Sequence, residues 1–212
     1  EQAAGRGRLS RGWYSQFGKG LWFSLILRHA FPPVEAPKCT LMAAVALTKA
    51  FHKMGLTDAG IKWPNDILVN GRKLVGILTE MSGSMEEISH IVMGIGVNVK
   101  TKQEELPEEL KLIATSLAME DIDIERTEAF RLILEELEHQ YYEVLDSGFD
   151  ETINEWRQLS VTLGEEIEVR APGNTYEGAA TDIDEDGNLL VRIPDGTIKR
   201  IVAGDVSIRP RK

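Results

Sequence analysis

Apolar positions along this chain change their spacing several times, and each change predicts an element. LWFSLILR (21–28) is a short apolar run between Gly20 and the Pro32-Pro33 pair, the pattern of a buried strand. Over 37–54 the period lengthens to that of a helix. Leu41, Ala44, Val45, Thr48 and Phe51 share one face, and Gly55 follows as a C-terminal stop. Three strand-like runs come next, GIKW, DILVN and KLVGILTEM. The first two meet at Pro64-Asn65 and the last two at Asn70-Gly71, a strong signal for a two-residue hairpin. A fourth, ISHIVMGIGVNV, has interior glycines, which mark a close approach of other atoms to the strand. Helical spacing returns over 107–119, where Leu110, Ile113, Ala114 and Leu117 align. It returns again from Thr127, an N-cap type, to Gly148. Phe130, Ile133, Leu134, Leu137, Tyr141, Val144 and Leu145 form the apolar stripe of that longer helix, and a shorter one over 149–159 carries Trp156.

Beyond Val161 the runs shorten and alternate. EEIEVRA, YEGAATDI, NLLVRI, TIKRIV and VSIRP are divided by Pro172-Gly173-Asn174, Asp186-Gly187-Asn188 and Pro194-Asp195-Gly196. Short strands with such turns predict a small antiparallel barrel or sandwich. The expected organisation is a larger domain over 1–160 and a smaller one over 161–212.

Composition narrows the partners. The 212 residues carry 24 Lys and Arg against 34 Asp and Glu, a net charge of −10, which disfavours non-specific attraction to nucleic acid or anionic membranes. A hydrophobic content of 42% supports a real core. The single cysteine, Cys39, excludes an internal disulfide, fits a cytoplasmic location and reads as a small buried residue. No apolar run approaches the ~20 residues of a membrane helix, and no signal-peptide pattern is present. The chain starts without Met and meets a motif almost at once, so a preceding segment is expected.

That motif is GRGRLSRGW, residues 5–13. Arg6, Arg8 and Arg11 repel one another unless an anion lies between them, and guanidinium forks match carboxylate and phosphate. Glycine lets a backbone approach a ligand closely, and Trp13 offers a lid or stacking face. The second motif is KWPNDILVNGRKLVGILTE. Its hairpin brings Lys73 back towards Asp66, so a cation, a carboxylate and the Asn65 amide share one region. The third is GIGVN, where bare glycines accept a flat ligand and Asn98 offers an amide to read a base or ribose. Other patterns are weaker. DIDEDG resembles the start of a calcium loop, but its twelfth position is Ile193 and its flanks are strands, so it reads as an acidic turn. His29, His52, His90 and His139 lack metal-ligand spacing, and no metal site is expected. No GxxxxGK[ST] or GxSxG motif occurs.

Taken together and in this order, GRGRLSRGW, KWPNDILVNGRKLVGILTE and GIGVNV, followed by a small β tail, resemble the biotin–protein ligases, and most closely the bacterial biotin–[acetyl-CoA-carboxylase] ligases. The resemblance is dense to about Val99, loose through the helices and recovers in the tail. It implies an α+β fold, a mixed β-sheet backed by helices as in class II aminoacyl-tRNA synthetases, then an SH3-like β-barrel. It implies activation of biotin with Mg-ATP to biotinyl-5′-AMP and transfer to a lysine of a biotin carboxyl carrier protein. By resemblance Gln2, Arg6, Gly7 and Arg8 belong to the biotin segment, with Arg8 between biotin's carboxylate and the phosphates. Arg11 and Trp13 close over the adenylate, and Asn65 and Asn98 lie on the nucleotide side. Lys73 serves both biotin's carbonyl and the α-phosphate, and Gly76, Ile77 and Gly94 wall the biotin pocket. Asp66 is a third catalytic candidate, orienting the acceptor lysine or a magnesium-bound water. The family's Ser-Thr-Asn stretch, with its strand and helix, would lie upstream of Glu1. DNA binding in many members belongs to an N-terminal winged helix, and a homodimer paired through its sheets is known among them. The alternative is a lipoate or octanoate ligase or transferase of the same fold. A nucleic-acid module would need repeated Arg-Gly elements or a basic face, and a non-catalytic adaptor would use only the β tail.

Overall fold

The computed structural model describes residues 1–28, 32–83 and 88–208. Two five-stranded sheets and three helices account for its regular structure. The first sheet contains β1 (Gly20–Leu27), β2 (Ala59–Lys62), β3 (Asp66–Val69), β4 (Arg72–Gly83) and β5 (Ile88–Asn98), in the order β1-β5-β4-β3-β2. The second contains β6 (Glu166–Ala171), β7 (Asn174–Ile183), β8 (Leu189–Arg192), β9 (Ile198–Ile201) and β10 (Asp205–Ile208), in the order β10-β6-β7-β8-β9. The α+β class is as expected. Every ladder among the described residues is antiparallel, and parallel pairing is confined to isolated bridges at Ile61/Ser160 and Lys73/Ala114.

Helix α1 (Lys38–Lys53) is the centre of the core. It packs on β2, β3 and β4 and is covered by α2 (Arg126–Ser147) and α3 (Asp150–Leu159). Leu41, Met42, Val45, Leu47 and Phe51 are buried along it, each contributing about 1.5–3 kcal/mol on burial. Cys39 is buried there too, and burial, with the nearby Glu35 carboxylate, pushes its thiol up to about 12. The stripe of α2 faces this core, with Ile133, Leu137 and Val144 buried and Phe130 edge-on to Phe23 at 4.9 Å. Polar cross-links join the helices as well. Lys49 meets Gln140 and Glu155, and Lys53 meets Glu136. No helix among the described residues is long and apolar enough to cross a membrane.

Two expectations need correction. Residues 107–119 are not a helix. The chain makes short 3₁₀ turns at Glu108–Leu110 and Ala118–Glu120, and between them runs alongside β4. Its backbone bonds go to Lys73, which donates to the Ile113 carbonyl at 2.8 Å and accepts from Thr115 at 2.9 Å. The apolar residues part company accordingly. Leu117 is buried while Ile113 faces water. Helix α2 begins at Arg126 with Glu125 before it, so Thr127 lies inside the first turn rather than at the cap. His29, Arg209 and Pro210 lie outside the described residues.

The Asn70-Gly71 turn is as its residues require. Both have positive φ, 50° and 76°, the combination that matches the twist of a two-residue hairpin. The second sheet is fastened to the first through the Trp63 region. The Trp63 backbone N–H donates to Thr162 Oγ1 at 2.9 Å, and its indole N–H donates to the Gly187 carbonyl at 3.0 Å. DIDEDG is a turn. The Asp184 carboxylate accepts from the Asp186 and Asn188 backbone, the Asn188 amide and Arg200.

Candidate active site

Strand alternation divides the first sheet into two faces. Odd-numbered residues of β5, such as Ile91, Met93, Ile95 and Val97, turn to the helical core. Even-numbered residues turn to a cleft of about 590 Å³ on the other side. Pairing aligns Trp22, Gly96, Gly76, Asp66 and Lys62 in one row across all five strands. The middle of that row has no side chains, and the flat space above it is filled by Trp13. A Cβ on Gly76 or Gly96 would fall 2.8 or 2.6 Å from the indole ring, so only glycine permits this contact. The Trp13 indole nitrogen is buried there without a hydrogen-bond partner among the described residues.

Trp13 is delivered by the arginine motif, which is a compact hairpin rather than a loose loop. Gly7 N–H donates to the Arg11 carbonyl at 2.7 Å and Trp13 N–H to the Gly5 carbonyl at 2.9 Å, with Arg6 and Gly12 bridged between them. Leu9 at its tip has φ of 54°, a left-handed conformation unusual for a residue with a side chain. Two arginines tie the hairpin to its surroundings. Arg8 donates to Asn65 Oδ1 at 3.1 Å and to the Gly204 carbonyl at 3.4 Å. Arg11 forms an ion pair with Asp205 at the start of β10. The Asn65 amide donates in turn to the Ile77 carbonyl at 2.7 Å, which locks the corner between β2 and β3.

Lys73 returns along the β3–β4 hairpin to within 2.7 Å of Asp66 Oδ1, and its ammonium lies 5.4 Å from the Trp13 ring centre. Asp66 Oδ1 is buried and faces this ammonium, with no hydrogen bond from any other group among the described residues. Lys62 lies in the same field. Burial pushes its ammonium below the usual lysine range, opposed by Asp66 and Asp205 and reinforced by Lys73 and Arg11.

Gln2, Arg6, Gly7, Arg8, Arg11, Trp13, Asn65, Asp66, Lys73, Gly76, Ile77 and Gly94 all line this one cleft. Asn98 does not. Its amide donates to the Thr115 carbonyl at 2.9 Å and holds the 107–119 segment against the sheet. Sequence reading did not single out Ser24, Glu80 or Asp205, which also line the cleft. Ser24 could have been found from alternation along β1, since it pairs with Gly94. Asp205 left no such signal, because it lies 194 positions from Arg11. The cleft gathers Arg6, Arg8, Arg11 and Lys73 against Asp66, Glu80 and Asp205. Converging guanidinium and ammonium groups beside a flat glycine surface suit a carboxylate and a phosphate brought together.

Residues 1–98 match the model of the biotin/lipoate A/B protein ligase family, and residues 162–209 that of the biotin protein ligase C-terminal domain. A biotin–[acetyl-CoA-carboxylase] ligase of Mycobacterium tuberculosis is 32% identical over 213 residues, covering 97% of this chain and 75% of that protein. The chain belongs to the biotin–protein ligase family. A bifunctional ligase/repressor BirA of Bacillus spizizenii is 40% identical over 209 residues, and the chain spans 64% of its length. Among solved structures, the biotin protein ligase of Aquifex aeolicus in complex with biotin and ATP superposes with a TM-score of 0.84. The identity there is 30%, over 99% of this chain and 86% of that one. The β6–β10 sheet is the family's SH3-like C-terminal part.

Proposed function

We propose that this chain activates biotin with ATP and transfers it to a lysine of a biotin carboxyl carrier protein, such as that of acetyl-CoA carboxylase. The observation that carries the reading is the meeting of Arg8, Lys73 and the Gly76–Gly96 platform in one cleft. Similarity to a ligase solved with biotin and ATP supports the choice of substrates. Residues 1–160 act as the catalytic domain and 161–212 as the C-terminal domain.

In the first step a biotin carboxylate oxygen attacks the α-phosphorus of ATP. An O–P bond forms, the bond to the β-phosphate oxygen breaks, and pyrophosphate leaves. Two anions must approach, and Arg8 and Lys73 neutralise charge where they meet. ATP is taken as its magnesium complex, so that metal arrives with the substrate. Trp13 and Arg11 cover the mixed anhydride and exclude water, which would hydrolyse it. In the second step the acceptor lysine nitrogen attacks the anhydride carbonyl carbon. A C–N bond forms, the C–O bond to phosphate breaks, and AMP leaves. Asp66, whose buried Oδ1 lies against the Lys73 ammonium in the same cleft, orients the incoming amine and receives its proton.

The experiment is radiolabelled ATP–pyrophosphate exchange with biotin, lipoate or octanoate as the acid. Exchange is expected with biotin. Exchange driven by lipoate or octanoate instead would assign the cleft to the other branch of the family.

A further inference from the structure

Lys73 and Gly76 stand three residues apart on β4, and simple strand alternation would send them to opposite faces. They share one. A Cβ on Gly76 would lie 3.2 Å from both Cε and Nζ of Lys73, and both residues line the arginine-lined cleft. The β3–β4 ladder shows the cause. Ile67 pairs with Val75 but Leu68 with Lys73, so Leu74 is an extra residue, a β-bulge. Leu74 and Val75 are both fully buried, and the bulge turns Lys73 back to the cleft. A bulge interrupts the regular ladder, so the direction of Lys73 depends on what else holds its backbone. Pairing of β4 with β5 ends at Val75, and the 113–115 segment takes over beside Lys73. The Lys73 N–H donates to the Ile113 carbonyl at 2.8 Å, and the Lys73 carbonyl accepts from the Thr115 N–H at 2.9 Å.

One carboxylate closes this arrangement into a ring. Glu120 Oε1 accepts from Arg72 Nη2 at 2.7 Å and also from Thr115 Oγ1. Arg72 is the chain neighbour of Lys73, and Thr115 is the residue bonded to the Lys73 carbonyl. The Glu120 side chain is only 9% exposed, so this pair is screened by salt far less than a surface one. Asn98 supports the same segment from β5, donating to the Thr115 carbonyl at 2.9 Å. We propose that Glu120 is a positioning residue for the first step of the reaction. By locking the 113–115 segment to β4, it holds the bulged Lys73 aimed at the point where carboxylate and α-phosphate meet. The proposal rests on the reaction proposed above. Glu120 is not among the residues that line the cleft, so its effect passes through the backbone and direction of Lys73. Such an indirect group matters because a displacement on the order of 1 Å at a reacting group is costly to the rate.

The test uses the full chain with Glu120→Ala, which removes the acceptor, and Glu120→Gln, which keeps an oxygen where both donors converge. Glu108→Ala, which breaks the exposed ion pair with Lys111 in the neighbouring turn, serves as control. Biotin-dependent pyrophosphate exchange gives kcat and the KM for biotin, and amide hydrogen exchange by NMR reads the Lys73 and Thr115 N–H groups. Glu120→Ala should lower kcat about ten-fold or more while the KM for biotin stays within about two-fold. The Lys73 and Thr115 amides should exchange at least about ten-fold faster with solvent. Glu120→Gln should restore most of the rate and most of the amide protection, and Glu108→Ala should change neither. An unchanged kcat or unchanged amide protection in Glu120→Ala overturns the proposal. So does a Glu120→Gln variant as impaired as Glu120→Ala. A KM for biotin that rises in step with the fall in kcat also overturns it, because the whole cleft has then been disturbed. Absence of biotin-dependent exchange in the unaltered chain overturns the parent reading and the catalytic role of Glu120 with it, even where the amides behave as expected.

Discussion

Arg8 holds three parts of the molecule together, because one guanidinium reaches from the arginine hairpin to Asn65 and to the Gly204 carbonyl. Both contacts use neutral oxygen acceptors, so binding an anion leaves its charge available. Arg8→Ala should therefore lower the rate of biotinyl-adenylate formation by about 100-fold or more, measured in a single turnover. The glycine platform makes a second residue-scale prediction. Gly96→Val inserts a branched side chain where a Cβ alone would lie 2.6 Å from the Trp13 ring. Trp13 must then leave the sheet, and its fluorescence should shift to the red even without ligand. An unshifted spectrum would contradict the packing of Trp13 on β5. Some of this scale was legible in the sequence. The spacing between Asp66 and Lys73 around Asn70-Gly71 predicts their meeting, and they lie 2.7 Å apart. Asn98 was harder to read, because an amide on a strand does not reveal whether it faces a cleft or, as here, a neighbouring carbonyl.

Elements succeed or fail by how much of their pairing is local. The β3–β4 hairpin and helix α1 follow from turn chemistry and period. The 107–119 segment does not, since its apolar spacing imitates a helix while its backbone bonds go to Lys73, far along the chain. The arginine hairpin likewise looks loose in sequence and is anchored by the start of β10 through Arg11 and Asp205. That ion pair is largely solvent-exposed on the arginine side, so its strength is modest. Asp205→Asn should raise the KM for ATP about two- to five-fold while leaving the fold intact. A KM equal to that of the unaltered chain would mean that Arg11 is positioned without β10. The acidic turn before β8 behaves as a pH-sensitive element. Burial favours the neutral Asp184 carboxyl, but hydrogen bonds from Arg200 and Asn188 outweigh it and hold the group below the usual carboxylate range. A depressed carboxyl contributes stability above about pH 4 that is lost as the group protonates on further acidification. Chemical denaturation of the unaltered chain and Asp184→Asn should differ at pH 7 and converge in acid.

At the scale of the whole molecule, two antiparallel sheets meet around Trp63, and the arginine-lined cleft forms where the arginine hairpin crosses the first sheet to touch the second. The acidic character of the chain is reconciled with a cationic cleft at this scale. The chain as a whole carries a net charge of −10, while Arg6, Arg8, Arg11 and Lys73 converge on one opening. Alternating short strands predict the second sheet well, because each turn carries its own glycine. How that sheet contributes Asp205 to the cleft is set by contacts distant in sequence, which no local pattern records. The central claim is that this cleft joins a biotin carboxylate to the α-phosphate of ATP. Biotin-dependent ATP–pyrophosphate exchange tests it most directly, run on the full chain beside Arg8→Ala and Lys73→Ala. We expect exchange that requires biotin and falls steeply in both variants. Exchange absent with biotin, or undiminished when both cations are removed, would contradict it.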